Sequence, residues 1–240
     1  MIISGKNSVF EILNSNKTIN KVLISDTQHD DFCKKIIDLC KKSHIRFDFV
    51  PKVSLDKLSP HHQGYVADVT DYKYFDLDDI KDGEAGSRLI VILDGIEDVH
   101  NFGSILRVCD CAGVNGIIIS DRRSVAVNDT VYKTSAGAIS HVKVCKVGNI
   151  NDSIRKLKQD GFFVFGAEAD GESIYKTNLT GDICLVMGSE GEGISVLTRK
   201  LCDGIISLPM FGKVNSLNVS CATSAVLYEA IRQREGNKNA

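Results

Sequence analysis

Short apolar runs alternate with amphipathic stretches along most of the chain, and this pattern predicts an α/β protein. Residues 89–93 form an unbroken apolar run, which is typical of a strand buried on both faces of a parallel sheet. The pattern predicts further strands over residues 116–119, 142–147, 162–167, 183–187 and 205–208. Helical spacing predicts helices over residues 101–112, 129–135, 151–159, 198–201 and 218–234. Together these elements predict a mostly parallel sheet with helices on both faces.

The amino-terminal part has shorter elements and predicts a separate small α/β domain over residues 1–75. Its predicted strands span residues 21–25, 46–50 and 65–69, and its predicted helices span residues 8–14, 30–42 and 53–58. Residues 76–86, DLDDIKDGEAG, are acidic and have little to bury, so they predict a linker. The larger domain then covers residues 87–240.

Composition narrows the class of protein only modestly. Formal net charge is −2 and 43% of residues are hydrophobic, so the average does not indicate a strongly basic nucleic-acid binder. The eight cysteines include no CxxC pair, which favours free thiols in a reducing compartment over disulfides or zinc. No apolar stretch is long enough to cross a membrane. We therefore expect a cytoplasmic protein with no metal and no membrane contact.

Three loops follow predicted strands of the larger domain, and each leads into a helix or carries close-set glycines. The first, residues 94–103, leads into a helix that carries Asn101 and Arg107. The second, residues 187–193, has three glycines that let the backbone approach a ligand closely. The third lies within residues 205–229 and carries Ser216 and Asn218. Open α/β sheets bind ligands beyond the carboxyl ends of their strands, so the three loops predict one site.

The residues alone leave other interpretations open. Asn and Ser cap helices, so Ser216 and Asn218 also fit a simple helix start. Arg107 could pair with Asp110 one helical turn away. The glycine loop matches neither GxGxxG nor GxxxxGK[ST], although a different α/β enzyme with a nucleotide cofactor such as NAD or ATP stays possible. His100 is a candidate base, because it is the only histidine in these loops. The adjacent His61 and His62 lack the ligand spacing of a metal site.

The three loops together resemble a known family. LDGIEDVHNFGSILRVCDCAG, LVMGSEGEGIS and ISLPMFGKVNSLNVSCATSAVLYEA are similar to the three motifs of the SpoU/TrmH family of SPOUT RNA methyltransferases. HHQGYVADV resembles the end of the small RNA-binding domain carried by the RlmB-like branch. The similarity covers residues 89–234, with the motifs in the same order and spacing.

The resemblance implies a fold and a reaction that the periodicity does not indicate. It implies a deep trefoil knot near residues 185–220, made by residues 185–193 and 205–220. It also implies S-adenosylmethionine as cofactor, a homodimer formed through the catalytic domain, and an RNA partner. The implied reaction is methylation of a ribose 2′-hydroxyl, on a guanosine of large-subunit (23S-type) ribosomal RNA. Transfer RNA, a ribosomal uridine, or a non-catalytic role in ribosome assembly are the alternatives.

The resemblance also assigns site residues by position. The catalytic positions are Asn101, Arg107, Glu190, Ser216 and Asn218. The cofactor-binding positions are Leu185, Met187, Gly188, Gly191, Ile206, Leu208, Met210, Leu217 and Ser220. Family members are proposed to use the arginine as a base. A guanidinium is essentially always protonated, so two roles stay open for Arg107. One is transient deprotonation beside the positive sulfonium and an RNA phosphate. The other, which we favour, is to stabilise the developing alkoxide or to hold the 3′-phosphate while that phosphate takes the proton.

Overall fold

The computed structural model describes residues 1–15, 18–70 and 72–238. The chain divides into two compact units. Unit 1 comprises Met1–Lys73 with Ala126–His141, and unit 2 comprises Tyr74–Val125 with Val142–Ala240. The sequence placed residues 126–141 in the larger domain, whereas here they belong to unit 1. The predicted boundaries at residues 75 and 87 stay a prediction.

The regular elements follow the predicted order closely. In the described residues the strands are β1 Ile2–Ser4, β2 Ile19–Ser25, β3 Phe47–Val50, β4 Tyr65–Val69, β5 Leu89–Asp94, β6 Gly116–Ser120, β7 Val144–Val147, β8 Phe163–Ser173, β9 Ile183–Gly188 and β10 Gly204–Ser207. The α-helices are α1 Lys6–Leu13, α2 Asp31–Lys42, α3 Lys52–Asp56, α4 Val99–Cys111, α5 Asp129–Thr134, α6 Ile150–Gln159, α7 Val196–Leu201 and α8 Val219–Lys238. The sequence missed β1 and predicted β8 too short.

Unit 1 is built on a four-stranded sheet of order β1-β4-β2-β3. β1 and β4 pair antiparallel, as do β4 and β2, whereas β2 and β3 pair parallel. The three residues of β1 carry too short a pattern to predict a strand, and pairing with β4 is what orders them.

His62 of unit 1 is buried. Its Nδ1 accepts the backbone N–H of Gly64 at 2.8 Å, and its Nε2 lies 3.0 Å from Asp56.

Unit 2 contains a six-stranded sheet of order β10-β8-β9-β5-β6-β7, and every neighbouring pair is parallel. Successive strand residues point to opposite faces. Ile90 and Ile92 lie in a core cluster with Ile154 and Leu157 of α6. Val91 and Leu93 point the other way and are also buried, so both faces of the sheet are covered. The predicted α/β class with a mostly parallel sheet is confirmed.

The acidic segment at residues 76–86 differs from a solvated linker. Ile80 is fully buried and belongs to the core cluster of unit 2. Lys81 forms ion pairs of 2.6 Å with both Asp78 and Asp160. A single isoleucine among acidic residues carries no periodic signal, so the sequence underestimated what this segment buries.

The expected trefoil knot involves two segments of unit 2. Residues 185–193 cover the end of β9 and its following loop, and residues 205–220 cover β10 and the non-regular stretch before α8. The trefoil knot expected from these segments stays a prediction.

In the parts of the chain that the structure describes, no helix combines the length and apolar character needed to cross a membrane.

Candidate active site

Asn101, Glu190 and Asn218 form one hydrogen-bonded cluster. Asn218 Nδ2 donates to Glu190 Oε1 at 2.7 Å and to Asn101 Oδ1 at 2.9 Å. Asn101 Nδ2 donates to the same Glu190 oxygen at 3.1 Å. Each of the three predicted loops contributes one member, so the fold brings together residues that are far apart in the chain.

Helix starts position two members of this cluster. Asp98 Oδ1 accepts the backbone N–H of Asn101 at 2.7 Å, which caps α4 and sets Asn101 in its first turn. Asn218 precedes α8, and its Oδ1 accepts the backbone N–H of Ser220 at 3.0 Å. Asn218 therefore caps a helix with its oxygen and binds Glu190 with its nitrogen. The helix-cap interpretation of Asn218 is thus met, and its role in a site stays a prediction.

The loop that carries Glu190 is folded tightly on itself. Ser189 and Gly193 exchange two backbone hydrogen bonds of 3.1 Å. A Cβ on Gly188 would lie 2.2 Å from the carbonyl carbon of Gly193, a contact that the loop could not accept without moving. Gly191 and Gly193 have φ of +98° and +68°, values that favour glycine. Glycine is thus required here by geometry.

A cavity of about 860 Å³ lies against this loop. We call it the glycine-loop cavity. Seven of the nine predicted cofactor-binding residues line it: Met187, Gly188, Gly191, Ile206, Leu208, Met210 and Leu217. Leu185 is instead buried within β9, and Ser220 Oγ donates to Asn218 Oδ1 at 2.6 Å. Neither of these two lines the cavity.

Three charged residues of the cavity wall escaped the sequence analysis. Glu168 and Asp170 lie where the pairing of β8 with β10 shifts register, and Arg199 lies on α7. Arg199 donates to both oxygens of Asp170 at 3.0 and 2.9 Å and also pairs with Glu168. Glu168 Oε1 accepts the backbone N–H of Ile194 at 2.8 Å, which holds the end of the glycine loop. The sequence could have indicated Glu168 and Asp170, because they directly follow the predicted strand at residues 162–167.

Two predicted catalytic residues stand apart from the cluster. Ser216 lines the glycine-loop cavity without a hydrogen bond to another described residue. Arg107 is exposed on α4, six residues beyond Asn101, and lies outside the cavity. Its guanidinium forms no ion pair in the described structure, so the alternative pairing with Asp110 is absent there. Within the described residues Arg107 forms no hydrogen bond to Asn101, Glu190 or Asn218.

A second cavity of about 830 Å³ lies beyond the carboxyl ends of β5, β6, β7 and β9. We call it the strand-end cleft. It shares Ser189, Glu190, Glu192, Gly193 and Val219 with the glycine-loop cavity. Asn101 and Glu190 both line it, so the cluster stands between the two spaces. Among the described residues no group of His, Cys, Asp and Glu side chains is arranged to hold a metal ion.

A fully parallel sheet with two adjoining cavities at a glycine loop is typical of α/β enzymes, which bind their ligands beyond the carboxyl ends of the strands. Residues 88–228 match the SpoU rRNA Methylase family. Residues 2–75 match the family described as RNA 2′-O ribose methyltransferase substrate binding. The chain belongs to the SpoU rRNA methylase family, and the predicted RNA methyltransferase class is confirmed.

Relatives and solved structures agree with this assignment. A Staphylococcus saprophyticus protein, provisionally described as a TrmH family tRNA/rRNA methyltransferase, is 43% identical over 98% of this chain and 96% of its own length. The structure of the SpoU methyltransferase AviRb from Streptomyces viridochromogenes, in complex with AdoMet, superposes with a TM-score of 0.84 at 24% identity, covering 98% of this chain and 91% of AviRb. At this level of identity the similarity to AviRb supports the shared fold.

A shorter structural relative covers less of the chain. The A. aeolicus TrmH/SpoU tRNA modifying enzyme is 30% identical with a TM-score of 0.57. The similarity covers 68% of this chain and 82% of that enzyme.

Proposed function

We propose that this protein transfers a methyl group from S-adenosylmethionine to the ribose 2′-hydroxyl of an RNA nucleotide. The observation that carries the proposal is the cluster of Asn101, Glu190 and Asn218 between two cavities. One cavity has the lining expected for the methyl donor, and the other is open to an acceptor. The match of residues 2–75 to a 2′-O ribose methyltransferase substrate-binding family supports the same reaction.

The lining of the glycine-loop cavity fits S-adenosylmethionine. Its apolar wall, with Met187, Ile206 and Leu208, suits an adenine ring. Its carboxylates, with Glu190 and Glu192 in the loop, suit a ligand that carries a sulfonium and an ammonium group and would repel a triphosphate. This charge balance favours S-adenosylmethionine over the alternative of a nucleotide such as ATP.

The bound cofactor supplies a methyl group already activated on a positive sulfur, so positioning of the acceptor accounts for much of the proposed catalysis. Glu190 holds the amides of Asn101 and Asn218, which orient the acceptor ribose. Ser216 offers a free hydroxyl beside them, at the cavity wall. Leu185 and Ser220 act behind the wall: Leu185 packs in the strand that carries the loop, and Ser220 orients Asn218.

Arg107 has to come from a second copy of the chain in this proposal. It is exposed and lies outside both cavities of its own chain. A homodimer through the catalytic domain would carry the guanidinium of one copy to the cluster of the other. There it stabilises the developing 2′-alkoxide, or holds the 3′-phosphate that takes the proton. The trefoil knot belongs to the same proposal.

The proposed substrate is a guanosine of large-subunit ribosomal RNA. The A. aeolicus tRNA modifying enzyme matches only 68% of this chain, and the family that matches residues 88–228 is described as an rRNA methylase family. The substrate-binding unit therefore favours ribosomal RNA over transfer RNA. Such a substrate places the activity in the cytoplasm.

Mapping of 2′-O-methyl groups in cells with and without this gene tests the proposal. We expect one large-subunit guanosine to lose its methyl group in the deletion strain and to regain it on complementation. Purified protein should transfer labelled methyl groups from S-adenosylmethionine to ribosomal RNA from that strain. A lost methyl group on transfer RNA or on a uridine would refute the guanosine assignment. Unchanged maps, with RNA binding retained, would favour a non-catalytic assembly factor.

A further inference from the structure

The strand-end cleft contains two arginines that the predicted catalytic set does not use. Arg122 and Arg123 follow β6, on the same edge of the sheet as the Asn101 and Glu190 loops. All of these residues line one cleft, which the cluster separates from the glycine-loop cavity. The arginines therefore lie in the space next to the proposed methyl donor.

Neither guanidinium is engaged within the described structure. Most other arginines of unit 2 are paired: Arg88 with Asp182, Arg155 with Asp152, Arg199 with Asp170 and Arg232 with Glu229. Arg122 and Arg123 form no hydrogen bond or ion pair through their side chains to any described residue. Arg123 also has φ of +52°, an uncommon conformation for a non-glycine residue. Two positively charged side chains without an acidic partner among the described residues are therefore available in the cleft to bind an anion.

Carboxylates in the same cleft decide which kind of anion fits. Asp94 Oδ2 accepts the backbone N–H of Ser195 at 2.9 Å, and Asp98 caps α4, so both serve the protein itself. Glu97 is exposed and has no donor among the described residues. A compact polyanion would be repelled by these groups. A nucleotide within RNA suits them, because it presents one phosphate charge together with hydrogen-bond donors on its base and ribose.

We propose that the strand-end cleft is the acceptor-nucleotide site, in which Arg122 and Arg123 bind backbone phosphate of the RNA beside the reacting ribose. This inference rests on the proposed function, since it names the place where that function receives its substrate. The arrangement puts donor and acceptor in adjoining cavities on either side of Asn101 and Glu190. It requires both arginines for RNA affinity and neither for cofactor affinity.

The test uses the full chain and the variants Arg122→Ala, Arg123→Ala and the double variant. Arg155→Ala is the matched control, because it removes one exposed positive charge that lies outside the cleft. RNA affinity is measured by filter binding to a large-subunit rRNA transcript at several salt concentrations. S-adenosylmethionine affinity is measured by calorimetry, and thermal unfolding monitors folding. Guanosine monophosphate serves as a free-nucleotide probe.

We expect the double variant to bind the transcript about tenfold or more weakly, and the slope of log affinity against log salt to fall by about 0.7 for each arginine removed. Cofactor affinity should stay within twofold of wild type. An equal loss in Arg155→Ala would overturn the proposal, because it would show a general charge effect. Loss of cofactor affinity, or loss of guanosine monophosphate binding with unchanged RNA affinity, would also overturn it.

Binding and turnover separate this inference from the proposed function. If wild-type protein binds the transcript but transfers no methyl group to any RNA, the proposed function fails while the arginines remain testable by binding. If wild type is active and the double variant keeps its affinity and KM for RNA, only the cleft assignment fails.

Discussion

Asn218 donates a hydrogen bond from Nδ2 to Oδ1 of Asn101 at 2.9 Å, although 117 positions separate the two residues. Glu190 Oε1 accepts from both amides. A carboxylate that receives charge-assisted hydrogen bonds from two side chains holds them more firmly than a neutral acceptor would. The start of α4 and the start of α8 are thereby tied to the glycine loop.

Glu190→Ala should lower turnover by about 100-fold, because it leaves the amides of Asn101 and Asn218 without their shared acceptor. Glu190→Gln keeps a carbonyl oxygen without the charge and should retain more activity. The measurement is methyl transfer to ribosomal RNA at saturating cofactor. Glu84→Ala, at an exposed position in the segment before β5, is the control. Wild-type turnover in Glu190→Ala would show that the cluster is only structural.

A composite site predicts complementation between two inactive variants. Homodimers of Arg107→Ala and of Glu190→Ala should each be about 100-fold or more below wild-type turnover. A heterodimer purified through two different tags holds one site with both residues intact, so it should recover about half of the wild-type turnover per dimer. A heterotagged Arg107→Ala dimer is the control. An inactive heterodimer would mean that each site takes Arg107 and Glu190 from one chain.

Gly188→Ala should destabilise the glycine loop, because the new Cβ would meet the backbone of Gly193 and Ile194 at 2.2 to 2.5 Å. Overpacking of this kind costs about 1–3 kcal/mol of unfolding free energy. We expect a lower Tm and weaker binding of S-adenosylmethionine in calorimetry. Gly212→Ala has open space for its Cβ and should leave both unchanged. Normal cofactor affinity in Gly188→Ala would argue against this loop as a cofactor wall.

Asp182 should give unit 2 a pH-dependent stability. A hydrogen bond from Arg88 at 2.6 Å, aided by the backbone N–H groups of Gly86 and Arg88, lowers the pKa of Asp182 from 3.8 to about 2. Because the folded-state pKa is depressed, the stabilisation is complete above about pH 4 and disappears as pH falls through 2. The shift corresponds to about 2 kcal/mol.

Urea unfolding of wild type and Asp182→Asn measures this contribution. The difference in unfolding free energy should be largest near neutral pH and should shrink between pH 4 and 2. Asp152→Asn, which removes an exposed partner of Arg155, should show a small difference at every pH. A pH-independent difference for Asp182→Asn would disprove the assigned cause.

The sequence predicted those parts of the site that local patterns encode. Apolar runs located the strands of the parallel sheet, and strand ends located the loops of Asn101, Glu190 and Asn218. Resemblance then placed seven cofactor positions on a cavity that the structure contains. The strand and helix predictions succeeded because helical and strand periodicity arise from interactions within a few residues. The roles assigned to the site residues stay a prediction.

Tertiary structure alone decided the rest. β1 is ordered by its pairing with β4. Ile80 is buried because it packs into the core cluster of unit 2. Glu168, Arg199 and Arg122 reach the two cavities through strand order and a register shift, which depend on contacts between distant segments. Local patterns specify elements, whereas the packing of distant elements determines which side chains share a cavity.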